Sequence, residues 1–334
     1  MQILGLDIGG ANLKAATASG QACSVPFDLW RAPDELPQQL RELLQRFPPA
    51  DALAVTMTGE LADCFATKAE GVRRIVQSCE EVAGNRPVHF WHTSGQFVSA
   101  ARAIAEPLGI AAANWHALAT WAGRLVPHGR ALLIDIGSTT TDLIPLVDGH
   151  PCPQGLTDVT RLLAGELVYT GVRRTPLCAV APSAPFRGQM CPLAAELFAT
   201  TLDVYLILGL IPEDAEDCHT ANGRPATKAA AHDRLARMLC CDREELSLAD
   251  ATVISRFFAD AQQRQLRDAV SKVLQRSLGE LQAVVVSGSG SCVAKRLVTE
   301  MAKSKRFQIV SLNSHLGDKL SEAACAYAIA TILS

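Results

Sequence analysis

Two segments of the chain place an aspartate near the end of an apolar run, directly before a glycine turn. One reads LDIGG at residues 6–10, and the other reads IDIG at residues 134–137. A glycine-rich turn lets backbone N–H groups approach phosphate oxygens closely, and a carboxylate at the preceding strand end can hold Mg²⁺ beside those phosphates. Each segment alone is also typical of an ordinary strand end followed by a turn. The pair predicts a phosphate and magnesium site assembled from two similar halves.

Polar residues around the two turns extend this candidate site. Asp142 adds a third carboxylate, and residues 138–141 add hydroxyl donors. Lys14 either neutralises a phosphate or stays solvated on its strand. The predicted metal ligands are Asp7, Asp135 and Asp142. The predicted phosphate-binding residues of the two turns are Gly9, Gly10, Asn12, Lys14, Gly137, Ser138, Thr139 and Thr140.

A third glycine turn follows the apolar run AVVV at residues 283–286. Gly288, Ser289 and Gly290 of this turn join the predicted phosphate-binding set. The turn lacks the third glycine of the dinucleotide fingerprint, and the chain has no G-x-x-x-x-G-K-S/T loop. The sequence therefore predicts neither a dinucleotide-binding fold nor a P-loop.

Short strands and helices must position these turns. After both Asp-Ile-Gly turns a second strand is favoured, because nothing that follows resembles the start of a long amphipathic helix. The same order of strand, turn and strand returns about 128 residues later, which implies two similar halves. Further strands are predicted at 52–57, 87–91 and 307–311, and helices at 33–47, 71–83, 111–126, 193–209, 266–281, 292–302 and 317–333.

The composition excludes several classes of protein. The 334 residues carry a net charge of −3 and are 49% hydrophobic, which is typical of a globular chain and gives no basic excess for nucleic acid or anionic membranes. No secretory signal or membrane span is predicted. The 11 cysteines form no CxxC pair, and His89, His92 and His116 lack metal-ligand spacing. The chain is therefore expected to be soluble and cytoplasmic, with reduced thiols.

The three turns, in this order, resemble the two phosphate motifs and the adenosine motif of the actin-like superfamily. They lie at residues 7–14, 135–142 and 284–291. The resemblance implies an α/β, duplicated, ribonuclease-H-like fold whose two lobes enclose an interdomain cleft. One lobe would comprise residues 1–128 plus 318–334, and the other residues 129–317. The helices at 111–126 and 317–333 would cross between the lobes.

A narrower resemblance rests on residues 4–14, 56–63 and 165–176. These segments resemble the hydantoinase A/oxoprolinase-related branch, and within it the proteins of tetrahydromethanopterin- and methanofuran-linked one-carbon transfer. The resemblance implies a transferase of methanofuran biosynthesis. It would join the phenol oxygen of γ-glutamyltyramine to an (aminomethylfuranyl)methyl diphosphate and release diphosphate, with Mg²⁺ as cofactor and ATP allowed but not required.

That reaction gives roles to further residues. The predicted catalytic residues are Asp7, Glu60, Asp135 and Glu166, with the two glutamates as candidate bases for the phenol. Alternatively, Glu60 caps a helix that starts at Leu61, and Glu166 satisfies a turn or pairs with Arg161. Arg173 and Arg174 are predicted to bind substrate carboxylates or a phosphate, with at most one of them doing so.

Two other functions stay open at this point. The first is an ATP-dependent small-molecule kinase or ATPase, which is the commoner use of the fold, and fold alone does not decide function. The second is a non-enzymatic assembly or sensor role. The expected partners are small-molecule substrates, and a homodimer is left open.

Overall fold

The computed structural model describes residues 1–276, 279–303 and 306–334. Two six-stranded sheets and a separate hairpin make up its β structure. The strands are β1 (Ile3–Ile8), β2 (Asn12–Thr17), β3 (Ala22–Pro26), β4 (Ala52–Met57), β5 (Val88–His92), β6 (Gln96–Val98), β7 (Arg130–Ile136), β8 (Thr141–Val147), β9 (His150–Pro151), β10 (Leu167–Val168), β11 (Ser183–Phe186), β12 (Gln189–Pro192), β13 (Ala283–Ser287) and β14 (Gln308–Ser311).

Helices cover both sheets, and a short 3₁₀ turn at Pro33–Glu35 leads into the first of them. The helices are α1 (Leu36–Leu44), α2 (Lys68–Ala83), α3 (Ala100–Ala105), α4 (Pro107–Ile110), α5 (Asn114–Gly123), α6 (Asp158–Ala164), α7 (Leu177–Val180), α8 (Thr201–Ile207), α9 (Lys228–Arg237), α10 (Leu248–Gln275), α11 (Ser291–Ala302), α12 (Leu312–Leu316), α13 (Asp318–Glu322) and α14 (Ala324–Leu333). Among the described residues, no helix combines the length and the apolarity needed to cross a membrane.

The two sheets repeat one arrangement. In the first, with order β3-β2-β1-β4-β5-β6, β1 pairs antiparallel with β2 and parallel with β4. In the second, with order β10-β8-β7-β13-β14, β7 pairs antiparallel with β8 and parallel with β13. The duplication read from the Asp-Ile-Gly segments is therefore present in the strand order. The lobe boundaries given above stay a prediction.

Helices α5 and α14 lie between the two sheets and contact each other. One side of α14 buries Ile329 and Ala330 with Ile3 of β1, and another side buries Ala324 and Ala328 with the second sheet. Gly5 permits this close approach, because a Cβ there would overlap the main-chain oxygen of Ala326.

Both helices between the sheets differ from their predicted extents. The helix predicted at 111–126 begins only at Asn114, since Ala112 adopts a left-handed conformation with φ of 48°. The helix predicted at 317–333 is interrupted at Ala323, which has non-helical dihedral angles and separates α13 from α14. Leu320 and Ala323 are buried with Ala16 of β2, so the interruption seats the chain against the first sheet.

Candidate phosphate and carboxylate site

The structure brings the two Asp-Ile-Gly turns together. Asp135 lies opposite Asp142 on β8 and beside Ser287 on β13. Desolvation, followed by the negative charges of Asp142 and Asp7, raises the pKa of Asp135 to about 7, although the Ser287 hydrogen bond and Lys14 act to lower it. A carboxylate of the first lobe and two of the second therefore act on one another across the cleft.

Asp7 has an unsatisfied oxygen. Its side chain is only 6% exposed, and its Oδ1 has no hydrogen-bond partner in the described part of the chain. Burial raises the pKa of this carboxyl group, and Lys14, which lies opposite on β2, opposes the shift. Buried polar atoms are seldom left without a partner, so this oxygen is suited to a cation or a donor that binds in the cleft.

The first turn is fixed by backbone hydrogen bonds. Gly9 N donates to Asn12 O at 3.0 Å, and Thr58 N and Gly59 N donate to Ile8 O at 2.9 and 3.0 Å. A Cβ at Gly10 would meet no atom of the described chain within 4 Å. Gly10 therefore leaves open space at the first turn, while Asn12 is exposed and Lys14 half-buried.

The second turn is held by the segment 170–175. Gly137 N donates to Thr140 O at 2.9 Å, and Arg173 N and Arg174 N donate to Ser138 O at 3.0 and 2.9 Å. The side chains of the turn, Ser138, Thr139 and Thr140, are half-buried. The motif 165–176 thus supports the second phosphate-like turn from behind.

The third turn packs directly on the second sheet's aspartate. Gly288 has a φ of 91°, and a Cβ there would lie 2.5 Å from Asp135 Oδ1. Gly290 N donates to Ile136 O at 2.7 Å, and α11 begins at the next residue. Ser289 between them is exposed. All three predicted turns therefore meet at one end of the two sheets.

Glu60 directly follows Gly59, whose backbone N–H donates to Ile8 O at the first turn. It is 1% exposed, and its Oε2 has no hydrogen-bond partner within the described ranges. Desolvation raises its pKa to about 7, with smaller effects from its own backbone and from Asp158 and Lys68. Lys68 Nζ bonds Asp158 Oδ2 at 2.7 Å and so joins α2 to α6 above Glu60.

The helix-cap interpretation of Glu60 is wrong. Residues 61–67 form turns and bends, and α2 begins only at Lys68, where Thr67 provides the cap by accepting from Glu70 N. The buried carboxyl group of Glu60 therefore has no capping role.

Glu166 is held by the backbone instead. Its two carboxylate oxygens accept from Gln154 N at 2.7 Å and Gly155 N at 2.9 Å, and Arg276 Nη1 lies 3.8 Å from Oε1. This arrangement agrees with the turn-satisfying alternative and leaves neither oxygen free for a substrate proton. Its predicted catalytic role receives no support from the geometry.

The remaining charged candidate residues differ in whether they form an ion pair with another side chain. Asp142 Oδ1 accepts from Arg161 Nη2 at 2.5 Å, and the buried Arg161 lies with its Cζ 4.0 Å from the ring centroid of Trp115. Arg173 pairs with Asp217, whereas Arg174 is exposed. Of the two arginines, only Arg174 is thus placed to meet a ligand without losing an ion pair.

Cys325 is a site residue that sequence reasoning missed. It occupies the first turn of α14, and its thiol pKa is raised well above 9 by desolvation and then by Asp7 and Asp135. One signal in the sequence could have indicated this position of Cys325: the helix predicted at 317–333, which contains it, is expected to cross between the two lobes.

The candidate ligand atoms at this site are mostly oxygens, and Mg²⁺ prefers oxygen ligands. Across residues 1–276, 279–303 and 306–334, no three His, Cys, Asp or Glu side chains converge as a metal-binding group. Asp7 and Asp135 can therefore hold Mg²⁺ only together with oxygens from a ligand or water. The orphaned Asp7 Oδ1 fits such a shared arrangement.

The duplicated sheets, with three glycine turns around facing carboxylates, define a two-lobed protein of the actin-like fold class. Acetone carboxylase in its nucleotide-free structure superimposes with a TM-score of 0.56 at 10% identity, over 98% of this chain and 70% of that chain. The archaeal actin homologue Ta0583 in complex with ADP gives a TM-score of 0.48 at 14% identity, over 100% of both chains. The duplicated sheet order and the superposition on acetone carboxylase confirm the fold class predicted from the sequence.

The chain belongs to the hydantoinase/oxoprolinase family, which matches residues 51–333. A protein of Methanocaldococcus jannaschii named (4-{4-[2-(gamma-L-glutamylamino)ethyl]phenoxymethyl}furan-2-yl)methanamine synthase is 33% identical over 336 residues, covering 100% of this chain and 98% of the relative. A protein of Methanococcus vannielii with the same name is 32% identical over 202 residues, covering 60% and 90%. The family resemblance is confirmed, and the chain is an enzyme.

Proposed function

We propose that this enzyme is a transferase that forms an aryl ether with diphosphate as the leaving group. The phenol oxygen of γ-glutamyltyramine bonds to the methylene carbon of an (aminomethylfuranyl)methyl diphosphate, and the bond from that carbon to the phosphate oxygen breaks. The phenol proton passes to a base, and diphosphate departs. The name of the full-length relative supports these substrates.

The observation that carries the proposal is the meeting of the two Asp-Ile-Gly turns across the cleft. Turn amides, the Lys14 ammonium group and the open space at Gly10 provide for an anionic leaving group. Asp7 and Asp135 would hold Mg²⁺ at this site, and the bound ion would neutralise negative charge that grows on the departing diphosphate.

Glu60 is the proposed base for the phenol. A phenol has a pKa near 10, so its proton must be taken as the new bond forms. Burial brings the pKa of Glu60 to about 7, which makes this carboxylate a better proton acceptor than an exposed glutamate. Its position directly after Gly59, which hydrogen-bonds Ile8, keeps it next to the first turn.

The pH profile tests this base. Because Glu60 must be ionised to accept the proton, kcat/KM should rise with pH through about 7 and level off above it. Glu60→Gln should lower kcat by roughly 10²–10⁴-fold and leave only the part of the limb that comes from Asp135, whose pKa is also about 7. The raised pKa also means that ionising Glu60 costs stability, so the glutamine variant should unfold no more easily than the wild type at pH 8. A wild-type kcat in Glu60→Gln would assign the base elsewhere.

Gly10 tests the leaving-group site. Since a Cβ at Gly10 meets no protein atom, Gly10→Ala should leave the melting temperature unchanged. The added methyl group would stand where diphosphate approaches the turn, so the dissociation constant of diphosphate should rise at least about tenfold by calorimetry. Equal diphosphate affinity in both proteins would remove the first turn from the site.

The reaction itself is tested with purified enzyme, Mg²⁺ and both substrates, with the ether followed by mass spectrometry. A parallel reaction contains ATP in place of the furanyl diphosphate. Ether formed without ATP is the expected result. ADP without ether would instead support an ATP-dependent kinase or ATPase, the second candidate function. One observation favours that candidate: the Gly288–Gly290 turn lies against Asp135, as an adenosine motif would. Neither product would argue against both functions.

A further inference from the structure

Two charged side chains of helix α6 each pair with a residue of another element. Asp158 pairs with Lys68 of α2 at 2.7 Å, and Arg161, three residues later, pairs with Asp142 of β8 at 2.5 Å. Residues three apart lie on one side of a helix, so one polar face makes both contacts. Lys68 belongs to α2 of the first lobe. The polar face of α6 therefore connects helices that belong to the two different sheets.

The rest of the α6 surface and the entry to the helix are apolar and exposed, with Val159 and Leu163 facing away from Asp158 and Arg161 and Leu162 beside Asp158. Leu156 is 48% exposed, Val159 64%, Leu162 44% and Leu163 73%; these four residues are called the α6 patch. A surface helix normally buries its apolar side, so this orientation is reversed. The four exposures together equal more than two fully exposed aliphatic residues, on the order of 400 Å², which is within the range of the largest, often functional, patch of a monomer.

The area and the charge of the patch point to one kind of occupant. A standard interface buries about 800 Å² per partner, a little over half of it apolar, so the patch is about the size of one such apolar core. The two cations nearest the end of α6, Lys272 and Arg276, donate to its carbonyls at Leu163 and Ala164 and are thereby engaged. A charged partner would therefore gain few ion pairs at the α6 patch, whereas the same apolar patch on a second copy of the chain would match it.

We propose that the α6 patch is the centre of a two-fold interface between two copies of this chain. Each copy would place α6 against α6 of the other, with Val159 and Leu163 at the core of the contact. Self-complementary patches of this kind are what two-fold dimers use. Because the reverse side of α6 carries Asp158 and Arg161, the interface would stiffen the element that spans the cleft.

Sedimentation velocity of the full chain at micromolar concentration tests the interface. The wild type should sediment as a dimer, and Leu163→Lys and Val159→Glu should each sediment as monomers. Both substitutions suit the helix itself, since lysine is favourable in its last turn and glutamate in its first. Circular dichroism should show all variants folded, so loss of the dimer would not reflect unfolding.

Val253→Lys is the matched control, because Val253 is also an exposed aliphatic residue, 52% exposed, within the helix α10. It should remain dimeric. A monomeric wild type would overturn the proposal, as would a dimer that survives both α6 substitutions. Leu197 is an exposed leucine outside the α6 patch, at 55% exposure, and a dimer lost in Leu197→Glu but retained in Leu163→Lys would place the interface there instead.

Discussion

Replacing Asp7 by asparagine should abolish turnover while making the protein more stable. The carboxylate is buried with one oxygen unpartnered, and its pKa is raised because burial disfavours the charged form. Its ionisation therefore costs folding free energy once the pH exceeds the unfolded value near 4, and the neutral amide removes that cost. We expect kcat/KM to fall at least about 10³-fold and the melting temperature at pH 7.5 to rise by a few degrees.

The stability gain should disappear at low pH, where Asp7 is protonated in both states. Asp63→Asn serves as the control, since Asp63 is exposed and lies in the same lobe. It should leave both activity and melting temperature unchanged. Full activity in Asp7→Asn would remove this residue from the site, and a large loss of stability would mean that its carboxylate supports the fold instead.

Gly5→Ala should cause the largest loss of stability. A Cβ at this position would overlap the main-chain oxygen of Ala326 and lie 3.1 Å from the main-chain nitrogen of Ala330. Neither atom is the end of a flexible side chain, so α14 must move away from β1 as a whole. We expect the free energy of unfolding to fall by about 3 kcal/mol or more, as measured by urea denaturation.

Gly10→Ala is the matched comparison for that experiment, because it adds the same methyl group five residues later in open space. Urea midpoints that fall equally in both variants would mean that loss of glycine flexibility, and not the contact with α14, sets the effect. A wild-type midpoint in Gly5→Ala would contradict the close packing of α14 on β1.

Local patterns in the sequence predicted the parts of the site that lie on one strand and its turn. The strand predicted at 52–57 is β4, and both Asp-Ile-Gly segments are strand ends followed by antiparallel partners. The first half of the helix predicted at 266–281 lies within α10, while residues 277–278 of that prediction lie outside the described residues. In these segments the conformation follows from residues adjacent in the sequence, so the local sequence pattern predicts it.

Contacts between distant segments could not be predicted. Whether Glu166 meets a substrate or the amides of Gln154 and Gly155 depends on a loop eleven residues away. The α11 N-terminus reaches Asp135 because β13 pairs with β7, and Cys325 reaches the carboxylates because α14 packs between the sheets. The helix predicted at 193–209 was also too long, since residues 193–200 are not helical and α8 comprises only Thr201–Ile207.

The packing of α14 on the first sheet also orders events during protein synthesis. The last strand of that sheet, β6, ends at Val98, whereas α14 begins more than 200 residues later. At ribosomal rates of 5–20 residues per second, that separation corresponds to roughly 10–45 s. During this interval the nascent sheet displays Ile3, Ala52 and Ala54 without their helix. The first lobe is therefore made first and finished last, because α5 is available to this face early but α14 completes it only at the end of synthesis.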